Sequence, residues 1–205
     1  VTSVTPGNNF KQAAGTFLGG SGPLTLTPAC AGSIPDCTVI SGGTFTATSG
    51  TTTIGNFFTL DNGATFNHNG GTIVTSNSFS LLGTKPSWNV ANLTLADASS
   101  FGIPVNVDGT FTLGSGGIGR LTNGTINANG DVVLNPNSGT NNGTVNITGA
   151  AARTVTFEAG IPMPTFIVNA PNVTINTSGS GITNFSSLDL QNVASATNGS
   201  VNWTV

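Results

Sequence analysis

Beside its serines, threonines and two lysines, this sequence offers seven carboxylates, one histidine and two cysteines for proton, nucleophile or metal chemistry. The acids, Asp36, Asp61, Asp97, Asp108, Asp131, Glu158 and Asp189, stand apart from one another. Glycoside cleavage needs two carboxyl groups flanking one bond, and this spacing supplies no pair. Asp61-Asn62-Gly63, Asp108-Gly109 and Gly130-Asp131 read instead as corners whose carboxylates bond the local backbone. Only stacking of Asp61, Asp108 and Asp131 on one face would gather them into a cluster or a calcium site. His68 lies in Thr65-Phe66-Asn67-His68-Asn69 beside no nucleophile or acid, which suits a corner cap better than a general base. No Gly-x-Ser-x-Gly elbow occurs in a strand-to-helix context. The expectation is a protein that is not an enzyme, with no catalytic, cofactor-binding or metal-binding residues.

Cys30 and Cys37 enclose Ala-Gly-Ser-Ile-Pro-Asp, a stretch that can turn back sharply enough for a disulfide, with two unpaired thiols as the alternative. Such a bond implies an oxidising compartment. A metal site on the two thiols is disfavoured because His68 and most acids are far away in sequence.

Charge narrows the field further. Only 5% of residues are charged, against about 25% in an average soluble domain. Lys11, Lys85, Arg120 and Arg153 are scattered, which excludes nucleic-acid binding by electrostatics. No apolar run reaches the roughly 18 residues of a membrane-spanning helix, so membrane insertion is not expected. Polarity comes instead from 33 Thr, 25 Asn and 19 Ser beside 29 Gly. With Val, Ile and Phe in short alternating runs, this is a turn-rich β composition with almost no helix.

The elements that position these residues follow from a repeat. Gly-Thr-apolar recurs as Gly15-Thr16-Phe17, Gly43-Thr44-Phe45, Gly71-Thr72-Ile73, Gly109-Thr110-Phe111, Gly124-Thr125-Ile126 and Gly143-Thr144-Val145. Gly199-Ser200-Val201 and the variant Gly63-Ala64-Thr65-Phe66 extend the series. Spacing is irregular but mostly near 20 residues or its multiples, and Asn-Gly, Asp-Gly and Gly-Gly corners separate the runs. The fold class expected is all-β: a parallel β-solenoid (β-helix) of roughly eight to ten coils with three short faces each, with an antiparallel β-sandwich as the alternative.

From Val39 to Leu134 the sequence runs VISGGTFTATSGTTTIGNFFTLDNGATFNHNGGTIVTS, then WNVANLTL, IPVNVDGTFTLGSGG and LTNGTINANGDVVL. This resembles the β-strand-repeat surface proteins of bacteria, with Trp88 to Leu95 in place of their FYNLTV-type strand. Weaker matches follow at Gly143 to Thr148, Thr165 to Ala170 and Val173 to Asn176. The resemblance implies a secreted or cell-surface parallel solenoid serving as stalk, adhesin or extracellular filament, and no catalytic residues. Residues 1–37 lie outside it and read as an N-terminal segment with the Cys30–Cys37 loop, an assembly arm or cap; residues 38–205 read as the solenoid.

Threonine pairs such as Thr25/Thr27, Thr44/Thr46, Thr110/Thr112 and Thr154/Thr156 match the ranks of ice-binding solenoids but keep no fixed period. They are read as outward β positions. Nine Asn-x-Ser/Thr sequons permit glycosylation without showing it.

A solenoid ends in exposed backbone donors and acceptors that template another strand unless capped. Neither end of this chain carries an obvious charged cap, which suits end-to-end joining, with the cut edges of a longer polypeptide as the alternative. The sequence therefore points to a non-enzymatic extracellular subunit of a filament or stalk, joined head to tail to copies of itself through terminal strands. Val1, Val4, Phe10, Val201, Trp203 and Val205 are the expected joint. Surface glycans are the other expected partner. A carbohydrate-binding or polysaccharide-cleaving β-helix and a β-sandwich pilin are the runner-up readings.

Overall fold

The computed structural model describes residues 9–28, 37–114, 119–135, 141–158, 162–178, 183–191 and 203–204. Every strand pairing among them is parallel, and no described residue is helical. The chain is a β-solenoid, which rules out the antiparallel sandwich and the sandwich pilin.

The first turn holds β1 (Phe10–Gln12), β2 (Thr16–Leu18) and β3 (Leu24–Leu26). The second adds β4 (Thr38–Ile40), β5 (Gly43–Thr46) and the first half of β6 (Thr51–Leu60). The rest of β6 opens the third, with β7 (Ala64–Asn67) and the first half of β8 (Thr72–Leu82). The remainder of β8, β9 (Trp88–Val90) and β10 (Asn92–Leu95) make the fourth. β11 (Ala98–Phe101), β12 (Val105–Val107) and β13 (Phe111–Leu113) make the fifth, and β14 (Arg120–Asn123), β15 (Thr125–Ala128) and β16 (Val132–Leu134) the sixth. Beyond them the described strands fall on two faces: β17 (Thr144–Ile147) with β18 (Arg153–Glu158), then β19 (Pro162–Val168) with β20 (Val173–Ser178). β21 (Thr183–Leu190) and β22 (Trp203–Thr204) follow. Full three-sided turns thus number about six, fewer than the repeat suggested.

Alternation explains the packing. On the third face Leu24, Thr52, Ile73, Leu93, Phe111, Val132, Val155 and Ile175 stack in one inward column. All eight are at most 2% exposed. On the second face Phe17, Phe45 and Phe66 stack with near-parallel rings 4.8 and 5.6 Å apart. The column continues through Trp88, Val105, Ile126, Val145, Phe166 and Leu188. Period-2 strands place every second residue on this inner wall, where burying a large apolar side chain contributes about 1.5–3 kcal/mol.

The Gly-Thr-apolar tripeptides prove to be corner-then-strand units, but at two different corners. Those at 15, 43, 124 and 143 lead onto the second face, whereas those at 71 and 109 lead onto the third. Two interleaved series give the irregular spacing. At Gly43 the backbone takes φ +75°, and a Cβ would lie 2.3 Å from the Gly15 carbonyl oxygen, so only glycine fits. Two other corners lie inside β6 and β8, where Asn56, Asn77 and Ser78 take positive φ. Asn56 Nδ2 donates to the Pro28 carbonyl at 2.8 Å, tying that corner to the turn below.

Two further features bear on the plan. Within residues 1–37, β1, β2 and β3 already pair in register with β4, β5 and β6 as a turn of the solenoid. The first turn is long, Phe10 lying opposite Thr38, and this masks the period in the sequence. The second-face ladder is also interrupted: β2, β5 and β7 form one sheet, and β9 onward another. Phe66 and Trp88 bridge that step by ring contact at 5.4 Å.

Candidate functional site

The described carboxylates do not converge; Asp36 and the Glu158 side chain lie outside the described residues. Asp61 accepts from the Thr84 hydroxyl at 3.2 Å, and Asp97 accepts from the backbone N–H groups of Ala98 and Ser78. Asp108 accepts from Asn129 Nδ2, Asp131 from the Thr154 N–H and Asp189 from Gln191 Nε2. Asp108 and Asp131 lie in adjacent turns at the corner between the second and third faces, but Asp61 lies at the corner between the first and second, so stacking does not gather the three. No group of three His, Cys, Asp or Glu suited to a metal occurs among the described residues. His68 Nδ1 accepts the Gly70 N–H at 3.0 Å, closing its own turn. These are the backbone-capping roles that short polar side chains fill at corners.

On the outer side of the second face, four asparagines form a ladder. Asn106 Nδ2 donates to Asn89 Oδ1 at 2.7 Å, Asn127 to Asn106 at 2.8 Å and Asn146 to Asn127 at 3.2 Å. Beside it run Asp108, Asn129 and Thr148, linked by bonds of 3.2 and 2.6 Å. Identical amides stack because rungs repeat about every 4.8 Å, which suits a donor on one rung and an acceptor on the next. Asn127→Ala removes one donor and one acceptor from the middle. It should cost about 1–2 kcal/mol in urea unfolding, whereas Asn89→Ala, at the ladder's end, should cost about half as much.

Threonine pairs sort by face. Thr110/Thr112 and Thr154/Thr156 share the outer third face with Thr25, Thr51 and Thr53, while Thr44/Thr46 lie on the second. The third-face rank is broken by Val74 and Val133, which occupy the same outward column.

The two ends of the stack differ from everything between them. In one inward column of the second face Val90, Val107, Ala128, Ile147 and Val168 are fully buried, yet Leu190, next in register, is 44% exposed. At the opposite end Leu18 of β2 is 66% exposed and Phe17 half-buried. These two leucines are the exposed large hydrophobic residues among those described. β1, β2 and β3 have no described strand on their outer side, and neither has the Ser187–Leu190 part of β21. β22 covers only the beginning of β21, through Thr183 and Asn184.

The residues expected at the joint fare unequally. Phe10 lies in the first turn with its ring 5.6 Å from Phe17 and 5.8 Å from Phe45, turned into the core. Trp203 belongs to β22 and pairs with its own chain's Thr183, so its strand is engaged within the chain. Val1, Val4, Val201 and Val205 lie outside the described residues. Cys30 does too; Cys37 is fully buried, and no described cysteine is a free thiol. Sequence reasoning missed Phe17, Leu18, Leu188 and Leu190. Their alternation marks them as strand residues, but only the stack shows Phe17, Leu188 and Leu190 facing inward with no described strand beyond them, and Leu18 lying in the outward column of Thr46.

The chain matches no family model, no curated protein and no solved structure.

Proposed function

We propose that this chain is a non-enzymatic structural protein of the cell exterior, the subunit of a filament or surface stalk that grows by end-to-end joining of solenoids. The observation that carries this reading is the contrast within one column: fully buried residues in the interior turns, and Leu190 exposed where no described strand lies beyond it. A terminal turn is the template on which another turn packs, and its apolar inner wall is stabilised only when covered. Because the two ends are different surfaces, such a contact is head to tail and does not close, which yields an open fibre.

Low charge adds to this. With 5% charged residues, little repulsion opposes association or lateral bundling. In this reading Cys30 and Cys37 are bonded to each other, which places the chain in oxidising surroundings. Glycans are a secondary partner. Sugar platforms rely on exposed rings, whereas Trp88 and the phenylalanines of the stacked columns are wholly or partly buried.

Electron microscopy and light scattering of purified protein test the proposal. Uniform filaments are expected from the native sequence, and monomers from Leu190→Asp with an unchanged far-ultraviolet circular dichroism spectrum. Monodisperse monomers of the native chain at high concentration, or filaments undiminished by Leu190→Asp, would overturn it.

A further inference from the structure

The structure points to a defined register for this joint, and we infer that Ser187–Leu190 of one subunit pairs in parallel with Thr16–Leu18 of the next, Leu188 lying over Phe17. This rests on the end-to-end reading above. The partner is a second copy of the chain, because the contact would repeat one that each subunit already makes many times.

Two columns continue across such a joint. Phe17 begins the inward column of the second face and Leu188 ends it, both half-buried, while the residues between them are fully buried except Phe66, which stands at the interrupted step of the ladder. Laying Leu188 on Phe17 makes the column unbroken across subunits. The same register sets Leu190 opposite Gly19, a residue without a side chain, followed in the next turn by the small Ala47. The exposed leucine is thereby given room over a small-residue floor. Ser187 then faces Thr16, and both are exposed and outward.

Other registers fail on physical grounds. A shift by one residue turns Leu188 and Leu190 outward and Asp189 into the core. A shift by two puts Leu190 over Phe17, leaves Leu188 uncovered and shortens the overlap. Polarity follows from strand direction: the joint repeats the solenoid's own parallel ladder only when the C-terminal rung of one subunit meets the N-terminal rung of the next. Head-to-head or tail-to-tail contact would set the same strands antiparallel.

Cysteine cross-linking reads the register directly, since adjacent parallel rungs place in-register Cα atoms about 4.8 Å apart, within disulfide range. The double variant Thr16→Cys/Ser187→Cys, assembled and mildly oxidised, is expected to run as a ladder of covalent multimers on a non-reducing gel. Leu18→Cys/Ser187→Cys, displaced by two residues, is expected to cross-link at least tenfold less, and Thr16→Cys alone to give no ladder. Filaments by microscopy without a ladder from the first pair, or an equal ladder from the displaced pair, would overturn the register while leaving end-to-end assembly standing. Dimers from Thr16→Cys alone would overturn the polarity. Absence of both filaments and ladder in the native and variant chains would sink the joint and the proposed function together.

Discussion

Trp88→Ala is expected to lower the unfolding free energy by about 4 kcal/mol, the largest single effect in the molecule. Trp88 is fully buried, with its ring 5.3 Å from Phe58, 5.4 Å from Phe66 and 6.4 Å from Phe79. It also stands where the second-face ladder is interrupted, so no ladder hydrogen bonds between β7 and β9 compensate for the lost packing. The companion variant Trp88→Phe sharpens the test. Indole Nε1 is buried without a hydrogen-bond partner, which costs about 1–3 kcal/mol, and phenylalanine removes that group while opening a smaller cavity. Urea unfolding followed by circular dichroism should show Trp88→Phe within about 1 kcal/mol of the native protein. Equal losses from the two variants would contradict the packing account.

Arg153→Met is expected to cost about 2–4 kcal/mol. The side chain is 4% exposed. Its Nε and Nη2 donate to the Ala151 carbonyl at 3.0 and 2.7 Å, and its Nη1 donates to the Thr148 carbonyl. The guanidinium thus ties together the corner between β17 and β18, lying against Gly149 at φ +91°. Methionine fills similar volume but leaves two carbonyls unpaired. Burial pushes the Arg153 pKa down, and nearby Asp131 opposes that shift. A base whose folded pKa is depressed stabilises the fold above its unfolded pKa and loses that contribution as pH falls through the folded value, here only in strongly alkaline solution. Since arginine stays protonated throughout the neutral range, the loss in Arg153→Met should be constant between about pH 5 and 9. Arg153→Lys, a point charge in place of a planar fork, should fall between. A loss that varied over this range would contradict the assignment.

Much of this architecture is written in the sequence, because alternation and corner residues act locally. Gly43-Thr44-Phe45 states its corner, its outward threonine and its inward ring without reference to the rest of the chain. The same holds for Asn92 to Leu95, whose leucines both point inward. The corners at Asn56 and Asn77 are less legible: Thr51 to Leu60 reads as one uninterrupted run, and only the turn below it shows where it must bend. Arg153 gives no local sign of burial, since its partners are backbone carbonyls that any sequence supplies. Least legible are the ends. Val168 and Leu190 occupy equivalent strand positions in adjacent rungs, and what separates the buried residue from the exposed one is whether another rung lies above. That property belongs to position in the stack, and no window of sequence contains it.

The gap between β7 and β9 gives the rod a mechanical character. Its ladder bonds run along the long axis and are shared by three faces through the first six turns, but between the third and fourth turns the second face has no ladder and is held by ring contact and the Lys85 bond to the Ala64 carbonyl. Contact of that kind resists compression better than stretching. The solenoid therefore bends more readily away from its second face than toward it, and in the proposed fibre that soft direction would recur once per molecule along its length.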